Sequence, residues 1–266
     1  MRIRSLALQT ELALAAMRGK VTDRGDYIVV ETPDDPGYYY GNLLVLPAAP
    51  QVGEVAYWTR RFGDELGKNP AIKHVTFWWD GVTGDAGATD ELAAAGFTLE
   101  PMLVMVATPR ELIASTPALP IRALAPDEVL ATGELAYAVG DRHDEAYRAF
   151  YERRAARHRD LVTRGLAAFF GAFDGDQLVA SLGLVQLGGL ARYQDVQTLP
   201  AYRGHGLAAA LLAIAAAGSD PDTRLVIMPI PGGVGERVYA RAGFQIAERT
   251  VSACRYPSAA RTISSG

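Results

Sequence analysis

The sequence predicts an α/β protein of two lobes, on three observations. Short apolar strand segments alternate with segments of helical periodicity along the chain. The order strand, helix, strand, helix, turn, strand occurs once in each half, which marks an internal duplication. Between the halves, Pro109, Pro117 and Pro120 with Ser115 and Thr116 read as a linker. The expected boundaries are residues 1–108 for the first lobe, 109–120 for the linker, 121–257 for the second lobe and 258–266 for a tail.

Composition narrows the function classes. A net charge of −4 argues against a nucleic-acid binder, which carries a basic surplus. Apolar residues at 49% and charged residues at 21% are ordinary for a soluble globular chain, and a cytoplasmic location is expected. Cys254 is the only cysteine, so no intrachain disulfide forms, which suits a reducing compartment. In M-R-I-R-S-L-A-L-Q-T-E-L, Gln9 and Glu11 interrupt the apolar run, and an amphipathic helix is expected rather than a leader. No apolar run reaches the roughly 20 residues that span a bilayer. No metal-ligand spacing stands out.

In the first half, Leu6 to Arg18 reads as a helix, Y-I-V-V-E as a strand, and Y-Y-Y-G-N-L-L-V-L-P as a second strand ending at Leu46-Pro47. E-V-A-Y-W-T-R-R-F-G-D-E-L has apolar residues at helical spacing. The strand H-V-T-F-W-W follows, with Phe77 and Trp79 on one face and Trp78 on the other. A short helix through Glu91–Ala94, the turn Ala95-Gly96-Phe97 and the strand L-V-M-V-A complete it.

The second half begins with strand Ile121–Leu124 and a helix from Pro126-Asp127. A longer helix runs from about Glu145 to Arg164. Strands Ala168–Phe173 and Gln177–Leu187 flank the hairpin turn Asp174-Gly175-Asp176, and Gly188-Gly189 turns into the next strand. That strand ends at Leu199-Pro200 and is followed by a helix, the apolar strand Leu225–Met228, a short helix carrying Tyr239, the turn Ala242-Gly243-Phe244 and a last strand to Cys254. The offset that overlays Leu46-Pro47 on Leu199-Pro200 also places Gly53 under Gly206 and Pro50 under Arg203.

The most informative stretch is Gln194–Leu212, Q-D-V-Q-T-L-P-A-Y-R-G-H-G-L-A-A-A-L-L. Glycines let backbone N–H groups approach an anion closely, and the helix that follows adds the positive end of its dipole. The loop Arg203-Gly204-His205-Gly206-Leu207-Ala208, with V-x-T-x-P before it, resembles the R-x-x-G-x-G/A acetyl-CoA loop of the GNAT acetyltransferase superfamily. The resemblance covers residues 120–257 well, and residues 26–107 as the later part of such a domain. It implies two GNAT-like lobes, each a mixed sheet flanked by helices. It implies acetyl-CoA as co-substrate, with pantetheine beside Val196, Gln197 and Thr198. The pyrophosphate would lie over Gly204, His205, Gly206, Leu207 and Ala208, with Arg203 near by.

The resemblance also implies the chemistry, which is acetyl transfer to a primary amine of a small molecule or peptide by direct attack on the thioester. Tyr239, in V-Y-A-R-A-G-F, stands where the family carries the tyrosine that protonates the coenzyme A sulfur; a core tyrosine is the alternative. Asp195, its side chain placed by alternation with those of Tyr193 and Gln197, is the first candidate base, with His143, Asp144 and Glu145 between the two helices as alternatives. The family's asparagine before the tyrosine is missing from Pro231-Gly232-Gly233-Val234-Gly235. Arg153, Arg154, Arg157, His158 and Arg159 form a basic cluster that reads either as an anion dock or as a solvated helix face. A non-catalytic acyl-CoA-binding regulatory module is the alternative function, and a longer acyl chain a second. In the first half, Pro50 replaces the arginine and Glu54 opposes a phosphate, so acetyl-CoA is not expected there. That half is either a structural companion or the seat of another ligand. The acceptor and the oligomeric state are not readable.

Overall fold

The computed structural model describes residues 1–113 and 115–257; the tail 258–266 and Ala114 of the expected linker lie outside the described residues. The chain forms two compact α/β units. The first joins Met1–Val104 with the segment from Ala247 onward, and the second is Met105–Ile246. No described helix is long and apolar enough to cross a membrane.

The first unit runs α1 (Leu6–Arg18), β1 (Lys20–Asp23), β2 (Ile28–Glu31), β3 (Leu43–Leu46), α2 (Val55–Leu66), β4 (Val75–Trp79), α3 (Thr89–Ala94) and β5 (Thr98–Ala107). Its strand order is β1-β2-β3-β4, then β11 (Gln245–Arg255), then β5. β3 and β4 are parallel, with Leu44 opposite Phe77, and parallel neighbours need a crossover, here α2. Val55, Trp58, Phe62 and Leu66 give α2 one apolar stripe, which packs on Leu44, Leu46, Phe77 and Trp79. Trp78 faces the other way and donates its indole N–H to Thr250 Oγ1 at 2.8 Å, as the alternation in F-W-W predicts. β1 is an addition to the sequence expectation, because K-V-T-D is too short and polar to show a strand period.

The second unit runs β6 (Ile121–Ala123), α4 (Ala131–Val139), α5 (Glu145–Thr163), β7 (Ala167–Asp174), β8 (Gln177–Leu187), β9 (Leu190–Thr198), α6 (Leu207–Ala216), β10 (Arg224–Ile227) and α7 (Val234–Arg241). Its order is β5-β10-β9-β8-β7-β6, with Met105–Ala107 of β5 pairing β10. β9 and β10 are the parallel pair, joined across α6. Tyr193 marks the α6 face of the sheet, donating its hydroxyl to the carbonyl of Leu212 at 2.7 Å. Phe169 marks the opposite face, its ring 4.7 Å from that of His158 on α5. The hairpin at Asp174-Gly175 and the turn at Gly243 fall where the sequence puts them, and both glycines have positive φ.

Candidate active site

β9 is regular only in its first half. Leu190, Ala191 and Arg192 pair with Arg224, Leu225 and Val226 of β10, and the parallel ladder ends there. On the other side the register with β8 slips: Gly183 opposes Gln194, but Ser181 opposes Gln197. One residue of β8 therefore faces Asp195 and Val196 together, which is a β-bulge. Asp195 has φ 49°, the only positive φ of a described non-glycine residue. β10 ends at Ile227, so Val196, Gln197 and Thr198, beyond the bulge, have no β10 partner in the ladder.

The bulge also corrects one expectation. Alternation puts Asp195 on the side of both Tyr193 and Gln197. The register places Tyr193 on the α6 face, opposite Leu184, and Gln197 on the α5 face, opposite Ser181. An extra residue in the strand resets the two-residue period, which a sequence reading by alternation does not detect.

Asp195 points to α5. Its carboxylate is 7% exposed, forms an ion pair with Arg154 and lies 3.4 Å from Nδ1 of His158, itself 1% exposed. Arg154 and His158 are one helical turn apart, so a single stripe of α5 delivers both. The basic cluster thus divides. Arg154 and His158 face the strand, while Arg153 and Arg159 are exposed, Arg159 standing 3.9 Å from Asp127. Ser181, buried, and Gln197, half-buried, occupy the same face, and among the described residues neither Ser181 Oγ nor Gln197 Oε1 has a hydrogen-bond partner.

Beyond Thr198 the chain closes a short 3-10 turn, Pro200–Tyr202, pinned by Leu199 N–H to the carbonyl of Val179 at 2.9 Å. Arg203 is exposed and donates from Nε to the carbonyl of Thr198 at 3.2 Å, which aligns its guanidinium along the loop. Gly204 and Gly206 have φ 81° and 73°, a conformation that side-chain-bearing residues strain to adopt. Gly206 ends the loop, and its carbonyl starts the helix by accepting from Ala210 N–H at 3.0 Å. Among the described residues, none of the backbone N–H groups of Gly204, His205, Gly206, Leu207 and Ala208 meets a protein acceptor. This is a row of donors at the positive end of a ten-residue helix, beside the split between β9 and β10.

Tyr239 lies half-buried on α7, its ring 6.3 Å from Phe244. Burial raises its pKa to about 12, so the phenol keeps its proton through the neutral range. Its hydroxyl has no partner among the described residues. Pro231–Gly233 leads directly into α7, and Gly232 N–H donates to Glu236 at 2.6 Å. Cys254 is fully buried in β11 of the first unit, and burial raises its pKa to about 11. No described group of three or more His, Cys, Asp and Glu could hold a metal ion.

The first unit keeps the bend but not the donors. Gly53 has φ 90°, and its N–H donates to the carboxylate of Glu91 at 2.6 Å. Gln51 N–H donates to the carboxylate of Glu54 at 2.9 Å, and Pro47 and Pro50 have no N–H at all. Glu91 is the part that sequence reasoning misses, because it comes from α3, far along the chain.

No family model matches the sequence, and no curated protein matches it. Solved structures do. A conserved protein of unknown function from Staphylococcus epidermidis is similar with TM-score 0.74 and 11% identity, over 90% of this chain and 94% of that one. A GCN5-related N-acetyltransferase from Kribbella flavida gives TM-score 0.64 at 16% identity, over 94% and 95%. A tandem GNAT protein from the clavulanic acid biosynthesis pathway gives 0.53 at 14%, over 94% of each. The likeness is one of fold. Along nearly its whole length the chain shares the fold of these GCN5-related N-acetyltransferase structures.

Proposed function

We propose that the second unit transfers an acyl group, acetyl in the first instance, from acyl-coenzyme A to a primary amine of a small molecule or peptide. The observation that carries this is the row of unengaged N–H groups from Gly204 to Ala208, next to the part of β9 that has no β10 partner. The row and Arg203 suit a diphosphate. The unpaired edge at Val196–Thr198 suits the amides of a pantetheine arm, as a sheet edge accepts a further strand.

In this reading the amine nitrogen attacks the thioester carbonyl carbon and forms the new C–N bond. Asp195, whose carboxylate is nearly buried and paired with Arg154, takes the amine proton through a water. The C–S bond then breaks, and Tyr239 donates its phenolic proton to the departing sulfur. A phenol held neutral to about pH 12 keeps that proton available. Fold likeness to GNAT enzymes supports the reaction class. Cys254, buried in the other unit with a raised pKa, has no place in a covalent route.

The test is calorimetric titration with acetyl-coenzyme A, followed by thiol release across a panel of primary amines. One site per chain with amine-dependent thiol release is expected. Binding without release from any amine points to a non-catalytic acyl-CoA-binding module, and absence of binding removes the proposal.

A further inference from the structure

Outside glycine, backbone with positive φ persists only where its surroundings over-determine it. Among the described residues it occurs once in a side-chain-bearing position, at Asp195, where the register of β9 with β8 slips. That residue's carboxylate is also the one that α5 grips through Arg154 and His158.

We propose that Arg154, assisted by His158, is a positioning residue that holds the Asp195 bulge open and thereby keeps the β9 edge shaped for coenzyme A. The inference rests on the reading above that the pantetheine arm lies along β9. A regular β9 would place the Asp195 side chain by strict alternation and shift Val196–Thr198 by one residue against β8. The bulged form instead swings the carboxylate to α5, where a guanidinium and a buried imidazole meet it. The carboxylate is nearly inaccessible, so losing Arg154 leaves a buried charge short of its partner. The lowest-energy escape is for β9 to relax towards its regular form, which withdraws the edge at Val196–Thr198. Two independent features meet here, a backbone angle and a side-chain contact from another element. Gly183, next to the bulge on β8, reinforces the arrangement: Phe169 fills the space above it, and a Cβ there would stand 2.3 Å from that ring. The same aromatic ring backs His158.

The decisive test separates the backbone angle from the carboxylate. Glycine adopts positive φ without strain, and alanine does not. Arg154→Met is expected to weaken coenzyme A binding about tenfold or more, and Arg154→Lys to recover part of the loss. Asp195→Gly in the Arg154→Met background is expected to restore affinity to within about threefold of the parent, because the bulge then needs no grip. Asp195→Ala in that background stays weak. Amide hydrogen exchange across residues 193–198 reports the same change without ligand: altered in Arg154→Met, returned by the glycine and not by the alanine. Equal behaviour of the glycine and alanine doubles, or an Arg154→Met protein with parental exchange and parental affinity, overturns the proposal. A parent protein that binds no coenzyme A removes the functional reading, and the exchange measurement then decides the bulge by itself.

Discussion

Residues 47–54 and residues 200–207 each lead from a parallel strand into the crossover helix of their unit. Both turn on a glycine in the left-handed region, Gly53 at φ 90° and Gly206 at φ 73°. The difference lies in what the amides meet. In the first unit the chain supplies its own anions, Glu91 to Gly53 and Glu54 to Gln51, and two prolines remove further donors. In the second unit the donors from Gly204 to Ala208 end in no protein acceptor among the described residues, and an arginine replaces the proline. A helix N-terminus has donors to satisfy in either case. Folding alone is served by an internal carboxylate. A loop whose donors meet no internal acceptor forgoes that stabilisation, which is what the proposed coenzyme A site requires.

The largest effect should come from removing the bend. Gly206→Val forces a β-branched residue into positive φ and is expected to weaken acetyl-coenzyme A binding about a hundredfold or more. Gly53→Val, the matched change in the first unit, should leave that affinity untouched in the same titration while lowering the melting temperature. An equal loss of affinity from both would erase the distinction between the loops. Next in size is Tyr239→Phe, expected to lower kcat about a hundredfold with coenzyme A affinity unchanged. The pH dependence sharpens this. Because burial raises Tyr239 to about 12, its ionisation contributes no fall in rate below about pH 11. A basic limb near pH 9 that disappears in Tyr239→Phe would count against the assignment.

The loop was legible because its chemistry is local. Arg203, the two glycines and the alanine/leucine helix lie between positions 203 and 216, and backbone conformation there follows from residue type. The order of strands and helices was legible for the same reason, through periods of two and of 3.6. What stayed hidden depends on contacts between distant segments. Glu91 reaches Gly53 from another helix, and Arg154 and His158 reach Asp195 from α5. The bulge at Asp195 is hidden for a different reason: an inserted strand residue looks like any other until its register with β8 is known. β11 illustrates a third case. Its alternating pattern identifies a strand but not its neighbour, and Ser252–Arg255 pair with β4 of the first unit.

The smallest effects test whether carboxylates or prolines silence the first loop. Glu54→Gln with Glu91→Gln keeps the side-chain shape and removes both internal anions. The neutral amides still accept from Gln51 and Gly53, more weakly, so the expected loss of stability is about 1 kcal/mol, read from denaturant melts. Titration with acetyl-coenzyme A should still give one site per chain, since Pro47 and Pro50 offer no N–H and no arginine stands at position 50. A second site in this double variant would show that charge alone had closed the loop. Adding Pro50→Arg to the pair then separates the remaining causes, because it supplies the missing cation while leaving Pro47 in place. If a weak second site appears only in the triple variant, the phosphate grip depends on the guanidinium. If none appears, the missing backbone donors decide, and the contrast between the two loops resides in the main chain.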